Sequence, residues 1–272
     1  MSKNYKLPEQ KKVSLSAIDP KDTGRFHNKE EVLQEIKGLE QELEALQEKL
    51  VASKEHAVLF IFQGMDCSGK DGVIKKVFAG LHPQGISAHS FKTPSEEEAL
   101  HDFLWRAHRA VPALGQIAVF NRSYYEEVLI TRVHGKVTDE QAKKRFKHIN
   151  HFERMLADSG VKVVKIFLHI SKEFQLEKLI SRIEDTSKNW KFDPSDLKER
   201  KAWNQYSELY EELFEKCSKA APWYAVPSDN RWYRNYAVLR IAVDVLRSLD
   251  LKEPPANPEL QPLLAKLRME EA

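Results

Sequence analysis

Apolar positions recur along this chain in two rhythms. From Asn28 onward Val32, Ile36, Leu39, Leu43, Leu46 and Leu50 step by fours and threes, the spacing that lines one stripe of a helix with Asn28 as its cap. That stripe predicts a long amphipathic helix over 29–55 packed on a core. A subunit contact is the competing use, because an a/d seam also serves coiled coils. Short apolar runs without alternation follow at Ala57–Phe62, Ile86–Phe91, Ile117–Phe120 and Val161–Ile170, with Trp223–Val226 a candidate fifth. Unbroken runs suit strands buried on both faces. Amphipathic stretches near 70–80, 95–109, 138–158 and 171–184 separate them and supply right-handed crossovers. The expected fold class is α/β, a doubly wound parallel sheet flanked by helices.

The flanks read differently. Residues 1–28 are polar and hold Pro8, Pro20 and Gly24, so an extended arm is expected there. Around 183–222 the rhythm breaks into a polar stretch with Trp190, Lys191, Phe192 and Pro194, then a helix through Trp203, Tyr206, Leu209, Tyr210 and Leu213. This segment is the predicted lid of a domain spanning 56–250. A helix at about 233–250 that buries Leu239, Val243 and Leu246 closes the domain. Pro254, Pro255, Pro258 and Pro262 mark 251–272 as a loose tail.

Composition narrows the function classes. The chain has 272 residues, 42% hydrophobic and 31% charged, which fits one α/β domain with a lid. Its 43 Lys and Arg against 41 Asp and Glu leave a formal charge of +2, so no general nucleic-acid coat is expected and any polyanion site must be a local cluster. The first residues lack an apolar leader, and no run is long and uncharged enough to span a bilayer. A cytoplasmic address without membrane partners is expected. Cys67 and Cys217 are the only thiols and suggest neither a disulfide framework nor a zinc site.

The strongest chemical signal is Gly64-Met-Asp-Cys-Ser-Gly69-Lys70-Asp71-Gly72, directly after the apolar run Ala57–Phe62 and before a helical stretch with Val73, Ile74, Val77 and Phe78. It matches the phosphate loop G-x-x-x-x-G-K, with Asp71 in place of Ser or Thr. Glycines let several backbone N–H groups face one anion, the helix start adds partial positive charge, and Lys70 can reach the transferring phosphoryl group. Ser68 and Cys67 are small fillers. Asp66 and Asp71 beside a polyanion imply a cation between them, and oxygen ligands with phosphate favour Mg²⁺, with Mn²⁺ as the alternative ion. Helix capping is the structural use of Asp71.

At the end of the strand Ile117–Phe120 stand Asn121, Arg122, Glu126 and Glu127. The neighbouring strand end in phosphate-loop proteins usually carries an acid that holds the metal; here Asn121 occupies it and shifts charge onto Asp66 and Glu126. Arg122 could hold two phosphate oxygens at once, or pair with Glu126 along the helix. Lys75, Arg132, Arg182 and Lys191 are further candidate phosphate-binding cations, the last two in a segment able to fold over the loop.

The stretches GMDCSGKDG, FNRSYYEEVLITRVHG, HFERMLADSGVKVVKIFLHIS, NWKFDPSDLKER and APWYAVPSDNRWYRN closely resemble the type 2 polyphosphate kinases, in order over about residues 15–250. The resemblance implies a five-stranded P-loop kinase core with a helical lid, Mg²⁺ dependence, and reversible phosphoryl transfer between inorganic polyphosphate and nucleotides. By position it assigns Asp66, Lys70 and Asp71 to the Walker A loop, Asn121 and Arg122 to the Walker B region, and Arg182 to the lid. Catalytic roles fall to Asp66, Lys70, Arg122 and Arg182, and metal ligation to Asp66 and Asn121. Phosphate binding takes in Gly64, Ser68, Gly69 and Gly72, and nucleotide binding Asn121, Arg122, Glu126 and Glu127. Glu126, where ADP-using members tend to have Asn, implies the class accepting both AMP and ADP, with ATP as product and guanosine nucleotides as a further option. A homodimer or homotetramer is the expected assembly. Two rival readings remain: an ATP-dependent nucleoside monophosphate kinase on the same core, and a non-catalytic nucleotide-binding scaffold assembled through the 28–53 helix.

Overall fold

The computed structural model describes residues 5–253, 257–258 and 260–270. Five strands, β1 (Ala57–Gln63), β2 (Ile86–Ser90), β3 (Ile117–Asn121), β4 (Val161–His169) and β5 (Trp223–Pro227), form one sheet in the order β2-β3-β1-β4-β5. Every pairing is parallel. All seven residues of β1 are buried, as expected of a central strand covered on both faces. Alternate residues feed two cores. Leu59, Ile61, Ala118 and Phe120 face one; Phe60, Phe62, Val119 and Ile166 face the other.

Helices in chain order are α1 (Leu33–Ser53), α2 (Lys70–Val77), α3 (Glu96–Ala99), α4 (Trp105–His108), α5 (Ile130–Val133), α6 (Asp139–Asp158), α7 (Lys172–Glu184), α8 (Ser195–Lys201), α9 (Trp203–Lys216), α10 (Arg231–Arg247) and α11 (Leu260–Glu270). α1, α2 and α10 supply one core layer, and α6 and α9 the other. The stripe Leu39, Leu43 and Leu50 is buried in the core layer that α10 shares, and Arg247 fastens the two helices by gripping both oxygens of Glu42 at 2.5 and 2.6 Å. Asn28 does cap, but its Oδ1 accepts from the Glu31 N–H at 3.2 Å in a 3₁₀ turn over Glu30–Val32 that precedes α1.

Three further features depart from the sequence pattern. The stretch 95–109 is two one-turn helices, α3 and α4, because the Asp102 carboxylate accepts from the Leu104 N–H at 2.9 Å and starts the second afresh. The polar part of the lid segment winds into a 3₁₀ helix, Thr186–Lys191, ahead of α8 and α9. The region expected as a loose tail holds α11. Pro262 lies in its first turn, where a missing N–H costs nothing, while Pro254 and Pro255 lie outside the described residues.

The N-terminal segment crosses β5 and the ends of the central strands. Leu7 donates to Trp223 O at 2.8 Å, Asp229 donates to Pro20 O at 3.1 Å, and His169 Nε2 meets Ile18 O at 3.0 Å. Among the described residues no helix is long and apolar enough to cross a membrane.

Candidate active site

β1 and β3 run in parallel with Phe62 opposite Asn121, so the loop after β1 and the residues after β3 emerge side by side at one edge of the sheet. Chain direction alone therefore brings Asp66 and Lys70 to Asn121 and Arg122. Arg122 donates to the Phe62 carbonyl at 2.9 Å, which extends the pairing one residue past β3.

The loop 64–72 curls as its glycines permit. Gly64 has φ +150, and a Cβ there would meet Leu168 O and Ser68 Oγ at 2.8 Å. Cys67 (φ 68) and Arg122 (φ 61) are non-glycine residues in the left-handed region, a conformation that costs about 1–3 kcal/mol and persists where the surrounding structure imposes it. Ser68 is buried, and its hydroxyl sits 3.4 Å from the Lys70 ammonium. Lys70 folds back over the loop and donates to Gly64 O at 2.8 Å and Met65 O at 3.2 Å. Burial pulls its amine down to about 8, helped by Arg122 and opposed by Asp66, Glu126 and Asp71. A phosphate anion would relieve that burden.

Arg122 bridges two carboxylates. Its Nη2 donates to Asp66 Oδ1 at 2.7 Å, and its Nη1 lies 3.8 Å from Glu126 Oε2. Burial acts to weaken its proton affinity, but Glu126 and Asp66 outweigh that and hold the guanidinium charged. Glu126 itself is pushed upward by burial, with Arg122 and Lys70 limiting the rise. The Asn121 side-chain amide donates to Asp71 Oδ1, and Gln175 Nε2 holds Asp66 O at 3.0 Å. A small cavity of about 40 Å³ lies between Asp66, Arg122, Glu126, Gln175, Tyr206 and Tyr210. Arg182, in the last turn of α7, does not line that cavity; it pairs with Asp196 at 3.1 Å and is close enough to act on the Cys67 thiol, which burial pushes up to about 11.

A parallel five-stranded sheet with a glycine-rich lysine loop after its central strand restricts the chain to phosphate-loop chemistry, and comparison with known proteins specifies it. The family described as "Polyphosphate kinase 2 (PPK2)" matches residues 26–254. The chain belongs to the polyphosphate kinase 2 family. Among its relatives, the "AMP/ADP-polyphosphate phosphotransferase" of Meiothermus ruber is 42% identical over 93% of this chain and 95% of its own. The "ADP-polyphosphate phosphotransferase" of Rhodopseudomonas palustris is 40% identical over 99% of this chain and 98% of its own. The crystal structure of Polyphosphate Kinase 2 from Arthrobacter aurescens TC1 superposes with a TM-score of 0.88 at 39% identity, covering 93% of this chain and 92% of that one.

Within this polyphosphate kinase 2 chain, the residues singled out from the sequence separate into two groups. Gly64, Asp66, Ser68, Gly69, Lys70, Asp71, Gly72, Asn121, Arg122 and Glu126 belong to the loop, its pair with β3, or the cavity. Lys75 stands exposed on α2, and Lys191 is exposed with its ammonium 4.9 Å from the Trp190 ring centre. Arg132 and Glu127 are not brought to the cavity. Arg132 is locked between Glu212 at 2.6 Å and Asp139 at 2.7 Å, and Glu127 pairs with Arg145 at 3.0 Å. Gln175, Glu199, Tyr206 and Tyr210 line the cavity without having been singled out for it. Tyr206 and Tyr210 were legible only as part of a lid helix stripe. Gln175, buried on the first turn of α7, is a polar residue on an apolar face, which is the one sequence signal it offers.

Proposed function

We propose that this chain transfers the terminal phosphoryl group of inorganic polyphosphate to AMP or ADP, giving ADP or ATP, reversibly. The observation that carries the reading is the convergence of Lys70, Arg122 and the paired carboxylates of Asp66 and Asp71 on one glycine-rich loop, in a chain 42% identical to an AMP/ADP-polyphosphate phosphotransferase. Relatives with these names favour neither an ATP-dependent monophosphate kinase nor a non-catalytic scaffold.

An oxygen of the acceptor's last phosphate attacks the terminal phosphorus of the polymer, and the bond to the bridging oxygen breaks, leaving a chain one unit shorter. Phosphoryl transfer of this kind needs placement and charge neutralisation rather than covalent chemistry. The N–H groups of the loop and the start of α2 cradle the donor. Lys70, now spent on loop carbonyls, turns to the phosphoryl oxygens as the anion enters. Arg122 lies between donor and acceptor, and Arg182 brings charge from the lid that strengthens as the transition state spreads its own. Lys75 and Lys191 are exposed cations suited to the remaining length of the polymer.

Asp66, Asp71 and the Asn121 amide are oxygen donors at one mouth, and Asp71 and Asn121 already touch. Such a set, completed by phosphate oxygens and water, fits Mg²⁺ or Mn²⁺. When bound, the ion would neutralise phosphate charge beside these residues. Both thiols are free, in keeping with a cytoplasmic protein.

The test is a coupled luminescence assay with AMP and ADP, each given with long or short polyphosphate and no ATP. Nucleotide appearing one phosphate longer in both series supports the dual acceptor. Product from neither acceptor would refute the reading.

A further inference from the structure

Two cations are buried against the phosphate loop without an ion-pair partner among the described residues. Lys70 is one. The other, Arg234, reaches the loop from the first turn of α10 and is 4% exposed. Its Nη1 donates to Ser68 O at 3.1 Å, while Nε and Nη2 share the amide oxygen of Asn235 at 3.2 and 2.9 Å. The guanidinium lies so close to the loop that a Cβ on Gly69 would stand 2.1 Å from Nη1. The charge that acts on it most directly is Arg231, of the same sign, and burial with that neighbour draws Arg234 down to about 10. It remains protonated at neutral pH beside the positive end of α2.

A buried charge normally has a counter-charge, and one without it is costly. Here three sources of positive charge, Arg234, Lys70 and the start of α2, meet at a loop whose ligand is an anion. We propose that Arg234 is a positioning residue of the phosphate loop: a fixed charge that holds the Ser68–Gly69 backbone in its anion-binding turn and whose counter-ion is the phosphate chain itself. The proposal rests on the reading that residues 64–72 hold the donor.

Because the charge is buried, its contribution is poorly screened by salt, unlike that of the exposed Lys75. The experiment measures the Kd of tripolyphosphate with MgCl₂ by calorimetry at 50 and 300 mM KCl. It compares wild type, Arg234→Met, Arg234→Gln, Arg234→Lys, Lys75→Met and Lys70→Met. Arg234→Met and Arg234→Gln are expected to weaken binding at least tenfold, by the same factor at both salts. Arg234→Lys should stay within threefold of wild type. Arg234→Met should raise the KM for polyphosphate while kcat changes less than threefold. The Lys75→Met effect should fade at 300 mM. Should Arg234→Met fail to fold, Arg234→Gln carries the comparison. Binding within threefold of wild type in the charge-free variants, or a lysine variant as weak as they are, overturns the proposal. If the wild type itself binds no tripolyphosphate, or Lys70→Met binds as well as wild type, the loop reading fails instead.

Discussion

Replacing Lys165 by methionine while keeping Glu153 sets up a sharp test of how the site is anchored. Both side chains are wholly buried, with the Lys165 ammonium 2.7 Å from Glu153 Oε2. Lys165 also donates to Tyr125 OH at 3.0 Å and Cys217 O at 2.5 Å, and Glu153 Oε1 accepts from Tyr124 at 2.8 Å and Tyr125 at 2.6 Å. The variant strands a carboxylate in the core with two hydroxyl donors and no cation, at a cost of about 3–5 kcal/mol. That is a large share of a domain stability of about 5–15 kcal/mol. Adding Glu153→Gln keeps an oxygen for the two tyrosines and removes the charge, so the double variant should regain about 2 kcal/mol or more. Tyr124 and Tyr125 directly precede Glu126, so the single variant should also lower kcat. Urea unfolding, followed by the fluorescence of Trp223, whose ring centre lies 5.0 Å from that of Tyr125, reads these differences. A Lys165→Met loss under about 1 kcal/mol at pH 8, or no recovery in the double variant, would refute the reasoning.

Four further outcomes are expected. Lys70 has a folded value near 8 against an ordinary 10.5, so stability is greatest above 10.5 and is lost as pH falls through 8; Lys70→Met should therefore stabilise the ligand-free protein at pH 7 by on the order of 3 kcal/mol. The same shift predicts proton uptake on phosphate binding near pH 8 to 9, absent in Lys70→Met, measurable by calorimetry in buffers of differing ionisation enthalpy. Gly64→Ala, whose Cβ would meet the Leu168 carbonyl at 2.8 Å, should displace the loop and cut kcat/KM by about a hundredfold or more; near-wild-type kinetics would rule out the close-approach explanation. Arg182→Met should lower kcat by about a hundredfold with little change in KM, as expected of charge used in the transition state.

Strands β1 and β3 were legible because each is an apolar run covered on both faces, and the glycine loop because its backbone demands fix residue types at fixed spacing. The pairing of Asp71 with Asn121 and of Asp66 with Arg122 follows once β1 and β3 are adjacent, which a parallel sheet makes natural. Arg132 and Glu127 show the limit of that reading. Their charges are visible in sequence, but the partners that claim them, Glu212, Asp139 and Arg145, arrive from other elements. Gln175 and Arg234 were hidden for a related reason: a polar residue on an apolar helix face reveals its use only when the surface it meets is known. At Asp102 a single local hydrogen bond overrode helical periodicity, and the proline-rich end concealed α11.

The measurement that bears most directly on the account is turnover by the Asp66→Ala/Lys70→Ala double variant. Wild type and variant are mixed with ADP, polyphosphate and magnesium, and ATP is followed by ³¹P NMR. The account predicts steady ATP formation by wild type and a fall of at least about a thousandfold in the variant, with its circular dichroism unchanged. Full turnover after both side chains are removed would show that the loop at 64–72 does not hold the phosphoryl donor.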